Sequence, residues 1–264
     1  MTRQPAPHCA ARYPDLEGRV AAVTGGGRGL GRAMVLALAA NGAHVVIGSI
    51  ALAEDEAVAR QIRDRGGSAL ARPLDVRSRE QCKAFVQHAA EKFGGLDIMI
   101  CNAGIGPATS ALHMNPEIWQ HTVDVNLTGA FNTAVAAASQ MIAMNKSGAI
   151  VFTSSNAAQV GFEGLAAYGA AKAGVNQLVR SLAMEFGPHG IRVNAIAPGW
   201  TNHRMEGNEG KVDPQILAAG IARTPLRRVG EMEEIAAAAV FLASQAASFI
   251  SGAVLTVDGG YTAV

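Results

Sequence analysis

Residues Arg19 to Ala40 read RVAAVTGGGRGLGRAMVLALAA. The short apolar run Arg19 to Thr24 suits a buried strand, and an apolar helical run from about Gly29 to Ala40 stops at Asn41-Gly42. Between them lies Thr24-Gly-Gly-Gly-Arg-Gly-Leu-Gly31. Glycines at such a turn let backbone N–H groups approach a pyrophosphate, and the start of a helix favours its negative charge. No Gly-Lys-Ser/Thr occurs in the loop, so it is not a triphosphate-binding loop. The turn could be only a tight connection. Its position after the first strand of a βαβ unit favours dinucleotide binding.

Outward from this unit, strand and helix signals alternate. Strands are expected at Ala43 to Gly48, Ala69 to Leu74, Leu96 to Cys101, Gly148 to Thr153, Arg192 to Ile196 and Ala253 to Val257. Pro73 ends the third of the seven strands or puts it at an edge. Helices are expected at Ala51 to Arg65, at Ser78 to Phe93 with Ser78 as cap and Gly94-Gly95 as stop, and as one long helix from Pro116 to about Asn145 capped by Asn115. Another runs to about Gly187, and the last from Met232 to Ser244. Trp200 to Arg228 reads as an irregular, polar segment. This alternation predicts an α/β fold: a single-domain, doubly wound parallel sheet of about seven strands with helices on both faces. That domain is expected over residues 17–264, with 200–228 as a substrate lid and residues 1–16 as a flexible tail.

Composition narrows the function classes. With 49% hydrophobic and 16% charged residues, a net charge of +1 and no basic block, the 264-residue chain resembles neither a disordered protein nor a nucleic-acid or membrane-surface binder. Cys9, Cys82 and Cys101 form no Cys-x-x-Cys pair and read as free thiols in a reducing, cytoplasmic compartment, with no metal site. The first residues, MTRQPAPHCAARYP, lack the apolar centre of a signal peptide; a transit peptide is the alternative to a tail.

Thr153 to Gly174, TSSNAAQVGFEGLAAYGAAKAG, carries the chemistry. Tyr168 and Lys172 stand four apart in an Ala-rich helical run and share a face. A cation beside a phenol favours the phenolate and moves its pKa toward working pH. Ser155 ends the strand before them, where its hydroxyl could hold a carbonyl oxygen. Ser154 could take that place, although the thirteen-residue spacing favours Ser155.

The glycine loop, Asn102-Ala103-Gly104, Val125-Asn126-Leu127, Ser155, Tyr168-x-x-x-Lys172, Pro198-Gly199 and Val257-Asp258-Gly259-Gly260 together resemble the short-chain dehydrogenase/reductase family, including its 3-oxoacyl-carrier-protein reductase-like members, over about Leu16 to Tyr261. The resemblance implies that Gly25, Arg28, Gly29, Leu30 and Gly31 hold a cofactor diphosphate. Asp75 and Val76 would contact adenine, and Asn102, Ala103 and Gly104 the ribose region, with Cys101 replacing a frequent Asn. It assigns Asn126 to a water-linked proton relay, Ser155 to the substrate oxygen and Tyr168 to proton transfer. Lys172 would bind the nicotinamide ribose and lower the Tyr168 pKa. Asn126 could instead bridge two backbone segments. Pro198, Gly199 and Thr201 would line the nicotinamide end, where His203 replaces the family's usual Thr.

At the end of the second strand an acid would bind the ribose 2′-OH and repel a 2′-phosphate. Ser49 stands there, and Arg28 is near in the loop, so NADP(H) is expected over NAD(H). Substrate choice is expected from Ile105 to His113, Asn156 to Leu165 and Trp200 to Thr224, through Gln159, Phe162, Trp200 and Met205. The expected activity is an NADP(H)-linked carbonyl or ketone reductase. An NAD-linked sugar or secondary-alcohol dehydrogenase is the alternative, and a catalytically idle cofactor-binding subunit is a further one. The resemblance also implies a homotetramer, or a homodimer, acting on a small molecule.

Overall fold

A computed structural model describes residues 12–202 and 214–263. The sheet strands are β1 (Val20–Thr24), β2 (His44–Ser49), β3 (Ala69–Pro73), β4 (Ile98–Cys101), β5 (Gly148–Thr153), β6 (Ile191–Pro198) and β7 (Val254–Val257). All neighbouring pairs are parallel, in the order β3-β2-β1-β4-β5-β6-β7. The edge position of β3 explains how it accommodates Pro73. The order reverses between β1 and β4, the place where an open α/β sheet leaves a crevice at its carboxyl ends.

Side chains alternate across the sheet and feed two cores. One face, with Ala22, Val46, Met99, Ile150 and Phe152, packs against α3 (Arg79–Phe93), α5 (Gly129–Ala143) and α6 (Ala166–Phe186). The other, with Val23, Val45, Ile47, Ile100 and Val151, packs against α1 (Gly29–Ala40), α2 (Leu52–Arg63) and α8 (Met232–Ala243). Each fully buried aliphatic side chain contributes about 1.5–3 kcal/mol, so these two layers hold the loops above them rigidly. The Ser78 hydroxyl accepts from the Gln81 amide, and Gly94 closes α3 at φ 79°, as their residue types predict.

Three expectations need correction. The long helix expected from Pro116 is α4 (Pro116–Val123), one π-helical turn (Asp124–Thr128) and then α5. Asn126 occupies that wider turn. The irregular segment contains an amphipathic helix, α7 (Pro214–Arg223), while His203 and Met205 lie outside the described residues. Finally, the last residues of the expected tail are docked: the Tyr13 amide donates to Asn41, and Leu16 is buried in a short 3-10 turn, while residues 1–11 lie outside the described residues. Among the described residues no helix is long and apolar enough to cross a membrane.

Candidate active site

One cavity of 590 Å³ runs along the carboxyl ends of the strands. At one end it is walled by Gly25, Arg28, Leu30, Gly31, Ser49, Asp75 and Val76; at the other by Ser155, Phe162, Tyr168, Lys172, Trp200 and Thr201. Asn102, Ala103, Gly104, Pro198 and Gly199 line the stretch between. Gly29 is not part of the lining; at φ 54° it turns the loop into α1.

The glycine loop suits an anion. Arg28 gives α1 no side-chain cap, and the first turn carries no acid, so the amides of that turn have neither an intrahelical acceptor nor a repelling charge. A Cβ on Gly31 would lie 2.0 Å from the Gly25 carbonyl oxygen, so only glycine lets the helix start this close to β1. The tips of β1, β4 and β5 are locked by Asn102. Its side-chain amide donates to the Thr24 and Gly25 carbonyls, and its carbonyl accepts from the Thr153 hydroxyl. The amides of Asn102 and Ala103 both donate to the Thr24 hydroxyl oxygen. Asp75 holds its carboxylate below the ordinary value chiefly through its hydrogen bonds with Arg77.

At the other end, Tyr168 is 7% and Lys172 3% exposed. Ser155 and Tyr168 both line the cleft, and the Ser155 hydroxyl donates to Asn156 Oδ1 at 3.4 Å. The Ser155 oxygen also accepts from the Ala157 amide at 3.1 Å, which caps the short turn after β5. Ser154 is used elsewhere: its hydroxyl donates to Asn176 at 2.6 Å. Lys172 Nζ donates to the Thr153 carbonyl at 2.8 Å and lies 5.6 Å from the centre of the Tyr168 ring.

The electrostatics differ from the simple expectation. Burial pushes Tyr168 up to about 12, with the Ser155 hydrogen bond pulling the other way. Burial pulls Lys172 down to about 8. In this structure desolvation therefore outweighs the cation's pull on the phenol, because Nζ faces the Thr153 carbonyl and the ring rather than the phenolic oxygen.

Asn126 is fully buried behind the cleft wall. Its Nδ2 donates to the Ile105 and Thr122 carbonyls at 2.9 Å each, and its Oδ1 accepts from the Ile105 amide at 3.3 Å. A Cβ on Gly104 would come within 2.7 Å of Asn126 Oδ1 and 3.4 Å of Lys172 Nζ, so Asn126 and Lys172 flank the same glycine. The backbone bridge left open by the sequence is thus present.

Of the residues expected at the substrate, Gln159 is a correction. It is exposed, donates to Thr256 of β7 and does not line the cavity. Phe162 and Trp200 do line it, packed edge-on at 6.0 Å, with Tyr261 stacked on Phe162. Ile105, Leu165, Leu217 and Val229 complete an apolar wall. Leu217 comes from α7, hidden from sequence reading by the polar segment around it.

A second unforeseen residue is Asp55. It belongs to α2, yet it is 0% exposed and accepts the Ser49 hydroxyl at 2.7 Å. Burial, reinforced by Glu54 and opposed by Ser49, pushes its pKa up to about 6. Among the described residues no group of His, Cys, Asp or Glu could hold a metal ion.

A parallel sheet with its switch point between β1 and β4, a glycine loop there, and one cleft reaching to a buried tyrosine and lysine define a dinucleotide-binding α/β protein. The sequence profile of the family described as Enoyl-(Acyl carrier protein) reductase matches residues 25–262. The chain is 43% identical over 247 residues to the cis-4-hydroxycyclohexanecarboxylate dehydrogenase of Sinomonas cyclohexanicum, covering 93% of this chain and 97% of that protein. It is 39% identical to the L-rhamnose 1-dehydrogenase (NAD(P)(+)) of Sphingomonas sp., covering 93% and 96%. A crystal structure of a short-chain type dehydrogenase/reductase from Mycobacterium marinum superposes with a TM-score of 0.89 at 34% identity, covering 96% and 98%. The chain belongs to the short-chain dehydrogenase/reductase family, and it is an NAD(P)-dependent oxidoreductase acting on alcohol and ketone groups.

Proposed function

We propose that this enzyme interconverts a secondary alcohol and its ketone on a largely apolar, ring-like substrate. Tyr168 carries the proton at the reacting oxygen, and Ser155 hydrogen-bonds that oxygen. Lys172 holds the ribose next to the nicotinamide and supplies positive charge. Asn126 keeps the Ile105 and Thr122 backbones in register behind it and passes protons by way of water. The dinucleotide, when bound, takes or supplies the hydride. Gly25, Arg28, Leu30 and Gly31 face its diphosphate, Asp75 and Val76 its adenine, and Gly199 and Thr201 its nicotinamide end.

The observation that carries this reading is the shared cleft. Its anion-suited end and its buried hydroxyl pair are walls of one cavity. The lining beside Ser155 and Tyr168 supports the substrate class, since Ile105, Phe162, Leu165, Trp200, Leu217 and Val229 offer carbon surface and few hydrogen bonds. A cyclohexane ring suits that wall better than a polyhydroxylated sugar, in line with the name of the relative from Sinomonas cyclohexanicum.

The NADP(H) preference read from Ser49 and Arg28 loses part of its basis. Glu54 stands 3.9 Å from Arg28, and Asp55 holds the Ser49 hydroxyl. The reading therefore admits both cofactors. It carries with it the small-molecule substrate, the cytoplasmic setting and the homotetramer, or homodimer, that the family resemblance implies.

The test is a panel of cyclohexanols, hydroxysteroids, keto sugars and 3-oxoacyl thioesters, followed by the absorbance of the reduced nicotinamide. Highest kcat/KM on a cyclic secondary alcohol or its ketone is the expected result. A clear preference for rhamnose or another sugar would refute the substrate class.

A further inference from the structure

Ser49 ends β2 at the position where the dinucleotide fold meets the ribose 2′ group, and it lines the cleft. Its hydroxyl is already committed. It donates to Asp55 Oδ2 at 2.7 Å and accepts from the Ala51 amide at 3.0 Å. A serine hydroxyl has one proton and two lone pairs, so what remains toward the cleft is a lone pair. A lone pair welcomes the hydroxyl of an unmodified ribose. It opposes a 2′-phosphate, which presents only acceptor oxygens when fully ionised.

We propose that Asp55 sets the choice between NAD(H) and NADP(H) by fixing the direction of the Ser49 hydroxyl. Asp55 is a positioning residue here, since it acts through Ser49 and not by touching the cofactor. The inference rests on the cleft being the dinucleotide site.

The geometry makes Asp55 suited to the task. Its side chain is fully buried, and Oδ1 has no hydrogen-bond partner among the described residues. A Cβ on Gly27 would lie 2.6 Å from that oxygen, so the carboxylate is wedged between the end of β2 and the glycine loop. Glu54, on the same helix, is 3.9 Å from Arg28 of the loop. Arg32 of α1 donates to Gln61, and Arg72 of β3 contacts His88. None of these pairs with Asp55 in a salt bridge among the described residues.

Two states of Ser49 follow. With Asp55 ionised, Ser49 must donate to it and can only accept in the cleft. With Asp55 protonated, the carboxyl can donate to the Ser49 oxygen, which frees the serine proton for a phosphate. Burial holds the Asp55 pKa at about 6, so the exchange falls near neutral pH. The ratio of NADPH to NADH affinity should fall as pH rises through that value.

Fluorescence titration of NADH and NADPH against wild type, Asp55→Asn and Ser49→Ala, from about pH 5 to about pH 8, tests this, since that range spans the ionisation of Asp55 and of the phosphate. Asn at position 55 does not ionise, and its Nδ2 in the place of Oδ2 can donate to the Ser49 oxygen. It should raise the NADPH:NADH affinity ratio about tenfold at neutral pH, the worth of one charge-assisted hydrogen bond, and should flatten the pH profile. Ser49→Ala should make it shallower too with Asp55 in place, and this variant decides the matter if Asp55→Asn does not fold. A wild-type ratio and slope in Asp55→Asn, or a slope in Ser49→Ala as steep as that of wild type, would overturn the proposal. A surviving slope belongs to the phosphate's own ionisation near pH 6. Wild type binding neither dinucleotide would overturn the cofactor reading on which the proposal rests.

Discussion

Replacing Lys172 by Met should stabilise the ligand-free protein while removing its activity. Lys172 is 3% exposed, and no carboxylate pairs with it among the described residues. Among the described residues its ammonium donates one hydrogen bond, to the Thr153 carbonyl. The drop of its pKa from 10.5 to about 8 comes from burial, and corresponds to about 3 kcal/mol against the charged form in the folded state. Methionine fills similar space without charge and removes that penalty. It also leaves the Thr153 carbonyl without its donor, which returns about 1–2 kcal/mol. The net expectation is a gain of about 1–2 kcal/mol at pH 7, or a Tm rise of about 2–8 °C for a chain of this size. The pH dependence has a definite sign. The folded-state pKa lies below the unfolded one, so between about 8 and 10.5 the unfolded chain holds a proton that the folded chain has released. Wild-type stability from this group rises with pH across that window, and the advantage of the variant shrinks accordingly. Urea unfolding of both proteins at equal concentration, from neutral pH to about 10, reads this directly. A variant less stable than wild type at pH 7, or an advantage that does not shrink on raising pH, would refute the reasoning.

Other substitutions probe other parts of the site. Tyr168→Phe should lower turnover by about 10²–10⁴ or more, with the NAD(P)H affinity measured by fluorescence nearly unchanged. Gly31→Ala places a methyl group 2.0 Å from a carbonyl oxygen of the backbone, and should cost several kcal/mol or abolish dinucleotide binding in the same titration. Asn126→Ala removes the three hydrogen bonds that tie the π turn to Ile105 and Thr122 and should destabilise the fold by about 2–4 kcal/mol in urea. Cys82 and Cys101 are buried with thiol pKa values raised by burial, so neither should react with a thiol reagent until the protein unfolds; mass spectrometry of labelled peptides checks this.

Much of the fold was readable because its determinants are local. Apolar runs of four to eight residues, separated by glycine stops and a Ser78 cap, specify strands and helices whose ends the structure moves by only a few positions. Pro73 announced that its strand ends there or lies at an edge, and both hold. Other features depend on tertiary placement. Nothing local separates the π turn at Asp124–Thr128 from ordinary helix, because one shifted hydrogen bond leaves the apolar period almost unchanged. Helix α7 was lost among polar neighbours. The burial of Asp55 was equally hidden: an acid in the first turn of a helix reads as a favourable surface charge, and only the approach of the glycine loop encloses it.

The candidate site shows the same division. The spacing of Tyr168 and Lys172 was enough to put both on one helix face, and the strand end carrying Ser155 put it in the wall of the same cleft. Their ionisation was not readable, because it turns on desolvation and on where Nζ points. A four-residue spacing promised a cation beside a phenol. The fold delivers a nearly dry lysine held by a main-chain carbonyl. Gln159 failed for a related reason: its neighbours line the cleft, but a short 3-10 turn aims its side chain at β7.

The central claim is that Tyr168 moves the proton in an NAD(P)-linked oxidation or reduction within this cleft. Its most direct test is the appearance or loss of reduced-nicotinamide absorbance with a cyclohexanol or cyclohexanone substrate, measured side by side for wild type and for Tyr168→Phe that still binds the cofactor. Turnover by wild type and its loss in the variant is the predicted result. Equal turnover by the two proteins would contradict the account.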